Sequence, residues 1–207
     1  MRSRTSVSGV APNRAAYIPL SHRVASDLLA GGGLAPGQIQ EHAALAILKP
    51  MLEDPGVLKL GHDLKGDALV LDRHDIALKA FDDVMLMSYV LDAGRGDHGL
   101  GELAQRHFGH AMLNLADIVG KGRAQVPFAN VEITRACAYC AENADLALRV
   151  WRLLKARLVA EHMVTPYQTL ERPLVPVLAR MEKRGISIDT QVLSRLSESA
   201  RKEVEKH

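Results

Sequence analysis

Aromatic residues are scarce in this chain: 4% of 207 residues, with one Trp, four Tyr and three Phe. The single Trp151, with Leu146, Leu148 and Val150, reads as core or helix packing rather than a base-stacking platform. Cysteine is scarcer still. Two cysteines make no disulfide scaffold and argue for a reducing compartment, with the cytoplasm as the default expectation. Cys137-Ala-Tyr-Cys140 has the spacing of a zinc or redox half-site. A zinc site needs two further ligands, so both cysteines read most simply as small buried hydrophobes. No apolar run is long enough to suggest a membrane span, and Met1-Arg-Ser-Arg-Thr-Ser6 is a polar start without the pattern of a secretion signal. Charge of one sign is missing too. With 26 basic and 24 acidic residues the net charge is +2, so no bulk field compels a nucleic-acid partner. Gly31-Gly-Gly33 is not followed by Lys-Ser or Lys-Thr, which argues against a phosphate-cradling loop and leaves a surface connection.

What the chain does have is ordinary globular material, 47% hydrophobic and 24% charged, sized for one medium domain or one domain plus part of a second. Val7–Val10 and Ala15–Leu20 read as two short strands around a Pro-Asn turn. Residues 21–37 read as loop, 38–52 as an amphipathic helix stopped near Pro55-Gly56, and Val57–Leu60 as a buried strand. Gly61–Asp67 turns into a helix reaching His74; Asp82-Asp83 caps a helix over 84–91; 101–107 is helical. Gly120-Lys-Gly122 and Pro127 mark a loop before a long helix from about Val131 to Glu161. Pro166 and Pro173 are expected to break the chain beyond that helix into short pieces, and Ile188-Asp189 to cap a last, charged helix. His62, His74, His107 and His110 fall around helix ends and read as surface or capping residues. Strands come early and helices dominate later, which gives an α/β or α+β chain with helix in excess.

The long helix organises the rest. Tyr139 and Asn143 stand four residues apart on it, one turn above the other. With Glu142 and Asp145 beside them, they form a pattern that resembles the last motif of the proofreading 3′–5′ exonuclease domain of DNA polymerase I, where a Tyr orients the attacking water and an Asp ligates a metal. Other blocks come in family order. Ala16–His22 is similar to that domain's second hairpin and Leu48–Pro55 to its first helix. Gly61-His-Asp-Leu-Lys-Gly-Asp67 resembles its second motif, and Asp83–Leu91 the helix after it. Glu171–Asp189 looks like the opening of a family A polymerase domain. The resemblance implies a ribonuclease H-like α/β fold: a mixed sheet flanked by helices, its first strand missing, with a helix-rich C-terminal extension. It also implies a division into an exonuclease-like part, 1–164, and the start of a polymerase part, 165–207, truncated before any palm.

The departures from the family bear on chemistry. Family catalysis uses four carboxylates to hold two Mg²⁺ or Mn²⁺ ions: an Asp-x-Glu pair on the first strand and one Asp in each of two later motifs. No Asp-x-Glu occurs in this sequence. Asp67 matches the second-motif ligand, while Asn143 stands where the third-motif Asp is usual, and an amide oxygen is a poorer ligand for a hard cation. Asp63 stands where Asn is usual, Gly66 where Tyr is usual and Gly101 where Asp is usual. The site residues implied are thus Tyr139, a vestigial Asp67 that binds metal weakly at best, and Asn143. Lys65, Lys121 and Arg123 are the candidate phosphate contacts.

The leading expectation is a degenerate exonuclease module that associates weakly with single-stranded DNA, holds no metal stably and does not cut. Two alternatives stand beside it: a weak metal-dependent nuclease using Asp67 with Glu142 or Asp145, and a gene remnant without independent function. A missing first strand further implies an open sheet edge beside Val57–Leu60 and a tendency to self-associate.

Overall fold

The computed structural model describes residues 6–11 (as backbone), 14–23 and 33–205. Two antiparallel strands open it, β1 (Ser6–Ala11) and β2 (Arg14–Pro19), in continuous register from Ser6 opposite Pro19 to Ala11 opposite Arg14. Gly31 and Gly32 of the triglycine stretch lie outside the described residues. Helix α1 (Glu41–Glu53) leads to β3 (Lys59–Gly61), and α2 (Leu64–Asp72) returns the chain to β4 (Phe81–Asp83), parallel to β3. The strand expected at Val57–Leu60 therefore starts later. Val57 N–H is held in a turn by Asp54 C=O, and the ladder begins only where Lys59 N–H meets Ala80 C=O at 2.8 Å. β4 was legible only as a helix cap, because a three-residue strand containing two aspartates has no apolar alternation to reveal it. The two pairs form separate two-stranded sheets, and no described strand joins them.

Helices make up the rest: α3 (Val84–Asp92), α4 (Leu100–Phe108), the short α5 (Leu115–Val119), α6 (Ile133–Ala160), one turn α7 (Val164–Pro166), α8 (Arg172–Arg184) and α9 (Thr190–Val204). Asp83 caps α3 by accepting Met85 N–H at 3.0 Å, and Asp189 caps α9 by accepting the N–H groups of Gln191 and Val192. The prolines do not break the C-terminal run. A wide π turn at 167–171, closed by Arg172 N–H onto Tyr167 C=O, absorbs the register where Pro173 has no N–H to give, and Pro176 lies inside α8.

α6 is the spine. Leu146, Val150, Leu154 and Leu158 recur every four residues, all buried, and meet Val84 and Met87 of α3, Leu103 and Ala104 of α4, and Tyr167. At its other end Ala136 packs with Val131 and with Ile118 and Val119 of α5, against Tyr17 of β2. Arg157 ties α6 to the end of α3 through both carboxylate oxygens of Asp92, at 2.8 and 3.1 Å.

His22 locks the end of the hairpin to the start of α6. It is buried, its Nδ1–H donates to Val131 C=O at 3.0 Å, and its Nε2 accepts from the Tyr17 hydroxyl. Burial pushes the imidazole below its ordinary value, although the bond to Val131 opposes this, and burial lowers His107 likewise. In the unfolded chain both groups take up protons near the ordinary value of 6.5, before the folded chain does. Their contribution to stability is therefore complete above that pH and is lost as pH falls below it. Denaturant midpoints should drop between pH 7.5 and 5.5, and a His22→Gln variant should show a smaller drop. An unchanged midpoint over that range would contradict the assignment.

Candidate nucleic-acid interface and metal-ligand positions

The second-motif loop is built from β3 into α2. Asp63 adopts the left-handed conformation, φ 56°, at the N-cap of α2. Asn and Asp are the non-glycine residues that tolerate this region best, which is a local reason for Asp here. From β4, Asp83 reaches across to accept Asp63 N–H at 3.1 Å and Leu64 N–H at 2.8 Å, so the first turn of α2 hangs from a buried carboxylate. Burial raises the Asp83 carboxyl, and the bonds from Leu64, Asp63 and Met85 work against it. On the helix so positioned, Asp67 is half-buried with Oδ1 shielded from solvent. Gly66 faces open space: a Cβ there would meet only Asp63 Oδ2, at 4.0 Å.

Tyr139 and Asn143 lie on α6, which also packs against β3. The Tyr139 ring sits 6.3 Å from that of Phe128, within the smaller apolar cluster. Asn143 donates from Nδ2 to Tyr139 C=O at 2.7 Å, so its amide is folded back onto its own helix. A carboxylate has no proton for that bond and would be turned away from the carbonyl. The two neighbouring acids are committed elsewhere. Glu142 accepts His110 Nε2–H at 2.7 Å on one oxygen and Leu113 N–H at 2.9 Å on the other, anchoring the segment between α4 and α5. Asp145 pairs with Arg149 at 3.6 Å. Among the described residues no three His, Cys, Asp or Glu side chains gather as a metal cluster. At these two positions the described residues offer one carboxylate, Asp67, and one back-bonded amide, Asn143.

The candidate phosphate contacts are dispersed. Lys65 on α2 forms an ion pair with Glu182 of α8. Lys121 stands 3.9 Å from Asp117, and Arg123 lies exposed on the turn after it. Gly120 holds that loop with φ 84° and ψ 177°, and a Cβ there would sit 2.7 Å from Ala124 O. Gly120→Ala should therefore cost roughly 1–3 kcal/mol, read as a lowered denaturant midpoint. A neutral outcome would mean that the loop can relax.

A heavily connected polar group, Asp82, has no signature in the local sequence. Asp82 is fully buried and accepts Trp151 Nε1–H at 2.9 Å, Lys155 at 3.0 Å, and the Tyr167 hydroxyl and Arg172 at 3.1 Å each. Burial alone would raise its carboxyl, but the bonds from Trp151, Lys155 and Tyr167 outweigh it and hold the group below its ordinary value. Tyr167 also accepts Asp83 N–H at 2.9 Å, and burial with the adjacent Asp82 charge keeps its phenol above the ordinary range. These partners lie 69 to 90 residues from Asp82 along the chain, beyond any local pattern.

A sequence profile of the 3′–5′ exonuclease of A-type DNA polymerases matches residues 4–159. The chain belongs to the 3′–5′ exonuclease domain family of DNA polymerase I. It is 52% identical over 184 residues to DNA polymerase I of Rhizobium leguminosarum, a match covering 89% of this chain and 18% of that protein. To the enzyme of Pseudomonas aeruginosa it is 39% identical over 188 residues, 89% of this chain and 20% of the other. The exonuclease-family chain thus spans about a fifth of these relatives. In fold it is similar to the polymerase domain of Pol1 from M. smegmatis, solved with primer-template DNA and dNTP. The TM-score is 0.69 at 20% identity, over 99% of this chain and 30% of that one. It is also similar to Brucella melitensis NrnC with bound Mg²⁺, with a TM-score of 0.57 at 16% identity over 87% of this chain and 83% of that one. The expected ribonuclease H-like α/β fold, rich in helix, is the fold observed. No helix among the described residues is long and apolar enough to cross a membrane.

Proposed function

We propose that this chain is a non-catalytic exonuclease-type module of a DNA polymerase I, contacting single-stranded DNA weakly and cutting none. The observation that carries the reading is the state of the third-motif position. Asn143 spends its amide on Tyr139 C=O, and Glu142, the nearest acid in sequence, is held by a hydrogen bond on each oxygen. Asp67 is then the single family carboxylate left among the described residues. Mg²⁺ or Mn²⁺, which supplies nucleophile and leaving-group stabilisation where a full carboxylate set holds it, has no matching donor set here.

The chain should show no Mg²⁺- or Mn²⁺-dependent shortening of a 5′-labelled oligonucleotide, and Asn143→Asp alone should not confer it. Metal-dependent laddering abolished by Asp67→Ala would overturn the reading in favour of a working nuclease. Binding through two or three phosphates gives a shallow salt dependence, about 0.7 per contact for single strands, and affinity near the 10⁻⁴–10⁻⁶ M of non-specific association. We further read 165–207 as the start of a polymerase part, the working compartment as the cytoplasm, and the free side of β3, beside exposed Val57 and Leu58, as a self-association edge.

A further inference from the structure

Lys65 is the candidate phosphate contact nearest Asp67 in sequence, and it already has an anionic partner. Its ammonium meets the Glu182 carboxylate of α8. A second bridge runs the opposite way, Lys183 of α8 to Asp72 of α2 at 2.6 Å, so each helix contributes one acid and one base. α8 lies along α2, and a cavity of about 150 Å³ between them is lined by Leu174, Val175 and Leu178, with Asp63, Lys65 and Glu171 at its polar side. Deeper in, α8 is fixed from below. Arg172 and Tyr167 bind Asp82, Tyr167 accepts Asp83 N–H, and Asp83 holds the start of α2. The helix that presents Lys65 and the helix that presents Glu182 are therefore set by one polar network.

We propose that Glu182 is an internal stand-in for a nucleic-acid phosphate, so that docking of α8 masks Lys65 and lowers the affinity of this face for single strands. The inference rests on the nucleic-acid-associated function proposed for the module. A carboxylate and a phosphodiester offer the ammonium the same partner, an anionic oxygen within hydrogen-bond reach, and the two anions repel one another, so each weakens the other's hold on it. The pair is surface-accessible, with Lys65 34% and Glu182 49% exposed, so the mask is weak and displaceable rather than a lock. An exposed pair of this kind is worth up to about a fivefold change in an equilibrium constant.

The test is oligo-dT anisotropy across a salt series with the whole chain. Glu182→Gln should bind up to about fivefold tighter than wild type and steepen the salt slope by about 0.7, the contribution of one further phosphate. Glu203→Gln on α9 makes the same change in net charge away from Lys65 and should do neither. Adding Lys65→Gln to Glu182→Gln should erase the gain. Acetylation of Lys65, followed by mass spectrometry without DNA, should be faster in Glu182→Gln than in wild type, while that of Lys121 stays constant. Equal gains from Glu182→Gln and Glu203→Gln would overturn the proposal, leaving only net charge. Wild-type binding that Glu182→Gln leaves unchanged would overturn the mask and keep the module reading. Absence of oligo-dT binding by every variant would overturn both.

Discussion

Replacing Asp82 with alanine is expected to remove about 3–5 kcal/mol of folding stability, the range for stripping one partner from a buried charged network. The side chain has no exposed surface and collects four donors, two of them cationic. Lys155 and Arg172 are about a third exposed and can recover some hydration. Trp151 Nε1 and the Tyr167 hydroxyl lie closer to the core, and their loss sets the lower bound. The pH dependence carries a definite sign. Asp82 is held below the ordinary value of 3.8, so its contribution is complete above that pH and is lost as pH falls through the folded value. Asp92, lowered by its bonds to Arg157, acts in the same direction, whereas Asp83, raised by burial, acts against them. Urea midpoints at pH 7 and pH 3.5 should show the gap between wild type and Asp82→Ala narrowing in acid. A pH 7 gap of less than about 1 kcal/mol would mean that the donors re-pair with water at no cost.

Tyr167→Ala should cost a similar amount, about 3–5 kcal/mol, because it empties a fully buried ring position in the main core. Tyr167→Phe isolates the hydroxyl, which donates to Asp82 and accepts Asp83 N–H, and should cost roughly 1–3 kcal/mol. The comparison also probes the organisation of the chain. Tyr167 belongs to the stretch expected to start a separate polymerase part, yet its ring completes a core made by α3, α4 and α6. If the segment around Tyr167 folds with the chain before it, Trp151 fluorescence and far-UV circular dichroism should report one coincident transition in wild type, shifted as a whole in both variants. Two separated transitions would place an independent folding boundary near residue 164 instead. Trp151 is a suitable probe because its Nε1 bonds Asp82 directly.

Much of this molecule was written locally. The hairpin, the long α6 with its four-residue leucine and valine repeat, the Asp83 and Asp189 caps, and the positions of Tyr139 and Asn143 all come from spacing and cap chemistry within a few residues. The resemblance to the family motifs, and the reading of Asn143 at the position of an Asp, likewise rest on the sequence alone. Tertiary structure decided the rest, because the partners involved are distant in sequence. Asp82 read as a helix cap until Lys155, Trp151, Tyr167 and Arg172 were brought to it, and nothing around Lys65, a candidate phosphate contact, announced the Glu182 that α8 places against it. Glu142 read as a possible substitute ligand, and nothing in the sequence signalled the His110 and Leu113 donors that the fold brings to its two oxygens. Pro173 read as a helix break until a π turn before it removed the need for its missing N–H. Periodicity and capping act over one or two turns of chain and are legible in it; ion pairing and long-range carboxylate hydrogen bonds depend on which surfaces meet, and no short-range pattern encodes that.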